Sequence, residues 1–138
     1  MKVSKIDQVL AEMTVQIEQV RKQLLEQNAI VVAQCDDSDK ALYDRLFIDD
    51  KKIDGMISAL DQVRSKPSPL GRVLYSFEHD NGISVENKTV PFGTIMIIYE
   101  SRPDVTVEAT AIALKSGNKI ILKGGKEARR SNLLLQTR

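Results

Sequence analysis

The chain has 138 residues, of which 42% are hydrophobic, so it is long enough for one compact domain and too short for two ordinary ones. Twenty basic residues against nineteen acidic ones leave a formal net charge of +1, which argues against a global field that attracts nucleic acid or an anionic membrane. Aromatic residues make up only 4% of the chain and tryptophan is absent, which argues against a stacking surface for single-stranded nucleic acid.

Cysteine usage and the start of the chain bear on the compartment. Cys35 is the single cysteine, so the chain has no internal disulfide framework. The opening sequence MKVSKIDQVL lacks the basic-then-apolar pattern of a secretory signal, and no apolar run approaches the roughly 20 residues of a membrane helix. We therefore expect a soluble cytoplasmic protein whose partners include neither a membrane nor nucleic acid.

An apolar stripe in the first part of the chain predicts one long helix. Its residues follow one another in alternating steps of four and three, which places them on one helix face, while charged and amide side chains cover the other faces. The stripe fits a helix packed on its own domain, which we favour, and also a helix paired with another chain. Its members are Ile6, Leu10, Met13, Ile17, Val20 and Leu24.

Two further helices are predicted between the long helix and a proline-rich stop. Residues 29–33 are apolar and fit either a continuation of the first helix or a strand. Ser38 is the expected N-cap of the next helix, and Asp49 or Asp50 that of the helix after it. The sequence KPSPLG at 66–71 ends this helical part, because proline cannot continue a helix.

An antiparallel hairpin is predicted next. Residues 72–78 alternate between apolar and polar side chains, and residues 83–90 form a second extended run. Between them, Asn81 and Gly82 are a strong turn signal, since both tolerate the positive φ angles that a tight turn needs. His79 falls in the same turn and is interpreted as a solvated side chain that has no metal-ligand cluster to join.

The last part of the chain predicts a parallel β-α-β unit. An apolar strand at 94–99 is followed by an amphipathic helix at about 104–115, a second apolar strand and a final helix from about Glu127. A hairpin could not accommodate so long a connection, so the pattern favours parallel strands joined by a right-handed crossover.

These elements divide the chain into three predicted segments, helical over 1–66, hairpin and connection over 67–93, and the first part of a dinucleotide-binding domain over 94–138. The predicted fold class is α/β, with an incomplete Rossmann-like cofactor domain. Ligands of such sheets bind at the carboxyl ends of the strands. The sequences SRP at 101–103 and KGGK at 123–126 both fall there.

Seven short motifs follow one another along the chain, and as an ordered set they are far more specific than a lone Gly-Gly pair. They are YDRL at 43–46, IDGMI at 53–57, PSPLGR at 67–72, VPFG at 90–93, YESRP at 99–103, LKSGN at 114–118 and ILKGGKEA at 121–128. Over about residues 42–132, the set closely resembles the gamma-glutamyl phosphate reductase family, also called glutamate-5-semialdehyde dehydrogenase, of the aldehyde dehydrogenase superfamily.

The resemblance implies an enzyme that uses NADPH to reduce L-glutamyl 5-phosphate to glutamate 5-semialdehyde in proline biosynthesis. In the family a cysteine attacks the substrate, phosphate leaves and hydride reduces the thioester, and that cysteine lies in a catalytic domain outside the part matched here. Cys35 has no matching motif and lies among aspartates, which oppose thiolate formation.

We therefore expect the N-terminal part of a homo-oligomeric reductase, with no catalytic residue and no metal ligand of its own and inactive alone. Glutamyl phosphate is the small-molecule substrate of the full enzyme. The alternative is a non-catalytic, self-associating helical module that inherited this scaffold.

Four residues are expected to bind NADP. By the resemblance, Lys123 matches the lysine that contacts the adenosine ribose. Gly124 and Gly125 either let the backbone approach the ligand closely or supply positive φ angles where a strand turns toward a helix. Lys126 stands near the point where NAD-preferring relatives carry an acidic residue, and a lysine there would neutralise the 2′-phosphate of NADP.

Ser101 and Arg102 are the predicted substrate-binding residues. By the resemblance, Ser101 aligns with an oxyanion-stabilising position, and a turn-capping serine is an equal alternative. Arg102 is expected either to hold the acyl phosphate or substrate carboxylate, or to pair with Glu100 or Asp104. The family usually has asparagine at the position of Asp104, where a carboxylate suits a helix N-terminus but would repel an anionic substrate.

Overall fold

A computed structural model of the chain describes residues 3–35, 39–100 and 102–135. Within these ranges the predicted α/β class is confirmed, with N-terminal helices, an antiparallel hairpin and a parallel β-α-β unit. The elements are α1 (Val3–Val32), α2 (Lys40–Leu46), α3 (Asp50–Ser65), β1 (Val73–Glu78), β2 (Ser84–Lys88), β3 (Thr94–Ile98), α4 (Pro103–Lys115), β4 (Lys119–Lys123) and α5 (Arg129–Leu135).

Helix α1 forms the centre of the hydrophobic core. It packs against α3, α4 and α5, and its apolar stripe supplies much of the buried surface. The favoured arrangement, a helix packed on its own domain, is therefore the one observed. Residues 29–32 continue the helix rather than forming a strand. The core residues are Ile6, Leu10, Met13, Ile17, Leu24, Ile48, Ile53, Met56, Leu60, Val107, Ala111 and Leu135.

Carboxylates begin the two shorter helices of the N-terminal part. Asp49 caps α3 by accepting a hydrogen bond from the backbone N–H of Lys52 at 2.7 Å, as one of the two predicted alternatives requires. Asp39 caps α2 in the same way, accepting from the backbone N–H of Leu42 at 2.9 Å. The prediction of Ser38 as this cap was wrong, and Ser38 itself lies outside the described residues.

A buried amide joins α1 to the junction between α2 and α3. The side chain of Asn28 is 1% exposed. Its Nδ2 donates to the carbonyl of Leu46 at 2.7 Å, and its Oδ1 accepts from the backbone N–H of Ile48 at 2.7 Å. One side chain thus forms hydrogen bonds with two main-chain groups at the end of a helix and in the connection that follows it.

The antiparallel strands β1 and β2 are connected by residues 79–83. The backbone N–H of Gly82 donates to the carbonyl of His79, and the N–H of His79 to the carbonyl of Ile83, both at 2.8 Å. Gly82 has a φ of 81°, whereas Asn81 keeps a negative φ and accepts from the N–H of Ile83 through its side chain. The hairpin was predicted correctly, but the positive φ expected of Asn81 was wrong. Every residue of both strands is exposed.

Strands β3 and β4 are parallel, as predicted, with α4 as their connection. Their register runs from the pair Thr94 and Lys119 to the pair Ile98 and Lys123, so both strands end together. Gly117, with a φ of 72°, reverses the chain between α4 and β4. The carboxyl ends of the two strands therefore lie side by side.

The core includes side chains from both the first and the last predicted segments, since α1 and α3 pack against α4 and α5. The predicted boundaries at 1–66, 67–93 and 94–138 stay a prediction. Helix α5 begins at Arg129, two residues later than expected. None of the helices in the described ranges combines the length and the apolar character needed to cross a membrane.

Candidate functional site

An open cavity of about 380 Å³ lies at the carboxyl ends of β3 and β4. The residues that follow β3 form one part of its wall, and those that follow β4 form another. Helix α2 contributes two further side chains. The lining residues are Leu42, Arg45, Ile98, Tyr99, Glu100, Lys123, Gly124, Gly125 and Glu127.

The charged groups of this cavity nearly balance. Lys123, the last residue of β4, is exposed and contributes an ammonium group. Arg45 donates to the carboxylate of Glu100 at 2.5 Å, and the two charges offset each other. Glu127 adds a further carboxylate to the lining. The cavity therefore has no strong positive field of its own beyond the ammonium group of Lys123.

Close packing requires glycine at position 124. A Cβ atom added there would lie 2.6 Å from Nδ2 of Asn132 and 3.0 Å from the ring of Tyr99. Four glycines in the described ranges have a positive φ, and neither Gly124 nor Gly125 is among them. The expectation that these two residues supply positive φ angles was therefore wrong, and close approach is the reason that the structure gives for Gly124.

A hydrogen-bonded network fixes the loop after β4. The hydroxyl of Thr106, on α4, donates to Oδ1 of Asn132 on α5 at 3.1 Å. The hydroxyl groups of Tyr99 and Thr106 are 2.6 Å apart. Thr106 and Asn132 are buried, and Gly124 packs directly against both Asn132 and Tyr99. The network thus holds the ends of β3 and β4 in one position relative to α4 and α5.

The structure brings three of the four predicted cofactor residues to one cavity. Lys123, Gly124 and Gly125 all line it. Lys126 is exposed in the turn before α5 and is not among the lining residues. Any contact of Lys126 with a ligand must therefore be made from beside the cavity.

Arg102 is engaged in one of the structural pairings that the sequence left open. Its guanidinium donates to the carboxylate of Asp104 at 2.8 Å, and this hydrogen bond is the main reason that its pKa is raised above the ordinary arginine value. Glu100, the other predicted partner, is paired with Arg45 instead. Arg102 does not line the cavity, and Ser101 lies outside the described residues. The substrate-binding roles of both stay predictions.

Sequence reasoning missed four residues that shape this site. Leu42 and Arg45 reach the cavity from α2, and Thr106 and Asn132 fix its loop from α4 and α5. Arg45, Thr106 and Asn132 each have a hydrogen-bond partner distant in sequence, such as Glu100, which is 55 residues from Arg45. No local pattern signals such a contact. Cys35 does not line this cavity. The described residues contain no group of three potential metal ligands of the His, Cys, Asp and Glu types.

A parallel β-α-β unit with a cavity at the carboxyl ends of its strands is typical of nucleotide-binding α/β proteins. Proteins of similar sequence indicate a narrower class. The chain is 50% identical over 109 residues to "Gamma-glutamyl phosphate reductase" of Erythrobacter litoralis, a match that covers 78% of this chain and 26% of the relative. No family model matches the sequence.

Solved structures agree with the sequence relatives. The fold matches the crystal structure of gamma-glutamyl phosphate reductase from Thermotoga maritima with a TM-score of 0.92 and 39% identity, covering 98% of this chain and 33% of that one. The enzyme of the same name from Saccharomyces cerevisiae matches with a TM-score of 0.88 and 30% identity, covering 98% and 35%. In sequence and in fold, the chain matches an N-terminal part of gamma-glutamyl phosphate reductase and spans about a quarter to a third of these relatives.

Proposed function

We propose that this chain is the N-terminal, cofactor-binding part of an NADP-dependent enzyme that reduces L-glutamyl 5-phosphate to glutamate 5-semialdehyde in proline biosynthesis. The observation that carries the proposal is the cavity at the carboxyl ends of two parallel strands, which Lys123, Gly124 and Gly125 line together. The names of the relatives support the reaction.

The donor set of the cavity fits the adenosine end of a nicotinamide dinucleotide. Lys123 would hold the ribose through its ammonium group, and the backbone of Gly124 and Gly125 would lie against the nucleotide. When bound, the cofactor supplies the hydride. Because the other charges of the cavity nearly balance, the preference for a 2′-phosphate depends on Lys126, which follows the two glycines.

In the proposed enzyme, Ser101 and Arg102 bind the substrate. Arg102 would share its guanidinium between Asp104 and the anionic substrate, which weakens its hold on either partner. This chain alone is expected to be inactive, because the nucleophilic cysteine that the resemblance implies lies outside the matched part. The proposal places the enzyme in the cytoplasm as a homo-oligomer, and sedimentation of the full enzyme tests the oligomeric state.

Calorimetric titration of the chain with NADPH and with NADH tests the cofactor assignment. We expect saturable binding of both nucleotides and tighter binding of NADPH. Lys126→Glu is expected to weaken the binding of NADPH by about tenfold or more, since it replaces an attraction for the 2′-phosphate by a repulsion. The affinity for NADH is expected to stay nearly unchanged. Lys51→Glu is the matched control, because it makes the same charge change on an exposed position of α3 outside the cavity lining.

Two results would contradict this proposal. If Lys126→Glu lowered the affinities for NADPH and NADH equally, the role given to this lysine would be refuted. Absence of saturable binding, together with a discrete dimer or larger assembly in sedimentation, would favour the non-catalytic, self-associating module. The burial of the α1 stripe within the chain's own core leaves that module without its expected contact surface.

A further inference from the structure

One face of the parallel pair is apolar and exposed. The register of β3 and β4 places alternate residues of both strands on this face, which we call the open face of the sheet. Its apolar members are Met96, Ile98 and Ile121, whose exposures are 55%, 69% and 54%. The alternate positions on the opposite face, Ile95, Ile97, Ile120 and Leu122, are all half-buried.

Such a face is unusual for parallel strands. Parallel sheets are almost always covered on both faces, and their strands are apolar on both sides for that reason. In the described part of the chain, β3 and β4 pair only with each other, so the outer edge of each strand is also open. The open face therefore has the apolar composition of a buried surface, although it is exposed to solvent.

We propose that the open face and the free edges of β3 and β4 form a binding surface for the remaining part of the reductase polypeptide, even when that part is supplied as a separate chain. About two thirds of the Thermotoga maritima enzyme lies outside the match with this chain. Because this chain matches that structure over 98% of its length with a TM-score of 0.92, the surface is already formed and association needs no refolding of β3 or β4.

The charges around the open face disfavour a second copy of this chain as the occupant. Lys119 and Lys123 lie on the same face, at the two ends of β4, and both are exposed. Two identical copies that met face to face would bring these lysines toward one another, and like charges repel at short range. A complementary polypeptide with apolar strands or a helix carries no such penalty.

Co-expression tests the inference directly. The 138-residue chain is expressed with a tagged polypeptide that comprises the part of the Thermotoga maritima reductase outside the match. We expect the two to copurify as a 1:1 complex, with the mass measured by light scattering. The segment of the Thermotoga enzyme that matches this chain, paired with the same polypeptide, is the positive control.

Charge placed on the open face is expected to weaken the complex. Met96→Glu and Ile121→Glu each put a carboxylate where apolar surface would be buried, and neither residue lines the cofactor cavity. We expect each to weaken association by at least about tenfold. Val15→Glu on α1 is the matched control, since Val15 is 53% exposed and lies outside the open face, and we expect the complex to survive it. Circular dichroism verifies that each variant is folded.

Several outcomes would overturn the inference. They are failure of this chain to associate, a complex that persists in both open-face variants, and equal weakening by Val15→Glu. A homodimer of the chain alone that Met96→Glu dissociates would assign the face to a second copy instead. The inference rests on the match to the reductase and not on nucleotide binding, so a complex that binds no NADPH refutes the proposed cofactor site while leaving this surface in place.

Discussion

Gly124→Ala is the substitution that most directly tests how the candidate site is held together. The added methyl group would lie 2.6 Å from Nδ2 of Asn132 and 3.0 Å from the ring of Tyr99. Neither side chain can move cheaply, because both are tied to the hydroxyl of Thr106. Overpacking of this kind costs about 1–3 kcal/mol, and a lost hydrogen bond adds about 1 kcal/mol.

We therefore expect Gly124→Ala to lower the free energy of unfolding by about 2–4 kcal/mol and the midpoint of thermal unfolding by roughly 6–16 °C. Circular dichroism at 222 nm, with heat and with urea, measures both. Gly55→Ala is the matched control, since an added Cβ there has nothing within 4 Å. Gly55 lies within α3, so alanine should stabilise the chain by about 0.5–1 kcal/mol.

The reasoning would be refuted if Gly124→Ala unfolded at the same temperature as the parent chain. It would also be refuted if the free energy of unfolding fell in the double variant Gly124→Ala/Asn132→Ala by the sum of the losses in the two single variants. Removing the Asn132 side chain relieves the clash, so we expect the two losses to be markedly less than additive.

Two further substitutions test the N-terminal helices, with urea unfolding as the measurement. Asn28→Ala leaves the carbonyl of Leu46 and the N–H of Ile48 without partners, which should cost about 3 kcal/mol, and a loss below about 1 kcal/mol would show that water replaces the amide. Asp49→Ala removes the cap of α3 and should cost about 1 kcal/mol. Asp49→Ser should recover most of that loss, and equal instability of the two Asp49 variants would contradict the capping role.

Much of the fold could be predicted because its signals are local. The apolar stripe of α1 needs only helical periodicity, and the hairpin needs only alternation on both sides of a turn. The parallel pair follows from two apolar strands and a helix-length connection. The choice between strand and helix at residues 29–32 had no local signal and was decided by continuity with α1.

The finer features of the site could not be predicted, because they depend on contacts between distant residues. Glu100 pairs with Arg45, which is distant in sequence, and Arg102 pairs with Asp104. The need for glycine at position 124 comes from Asn132 and Tyr99, which no motif relates to it. Lys123 was placed at the cavity because a strand end can be predicted locally, whereas the position of Lys126 beside it depends on the path of the following turn.

The packing of α5 on α1 has a consequence for synthesis on the ribosome. Ser131 of α5, whose hydroxyl accepts from the buried Asn28 of α1, follows it by 103 residues. At about 5–20 residues per second, Asn28 emerges from the ribosome roughly 5–20 s before Ser131 does. During that interval α3 can shield only part of the stripe. The nascent chain therefore exposes the apolar stripe of α1, and cellular chaperones have time to bind it before the native core forms.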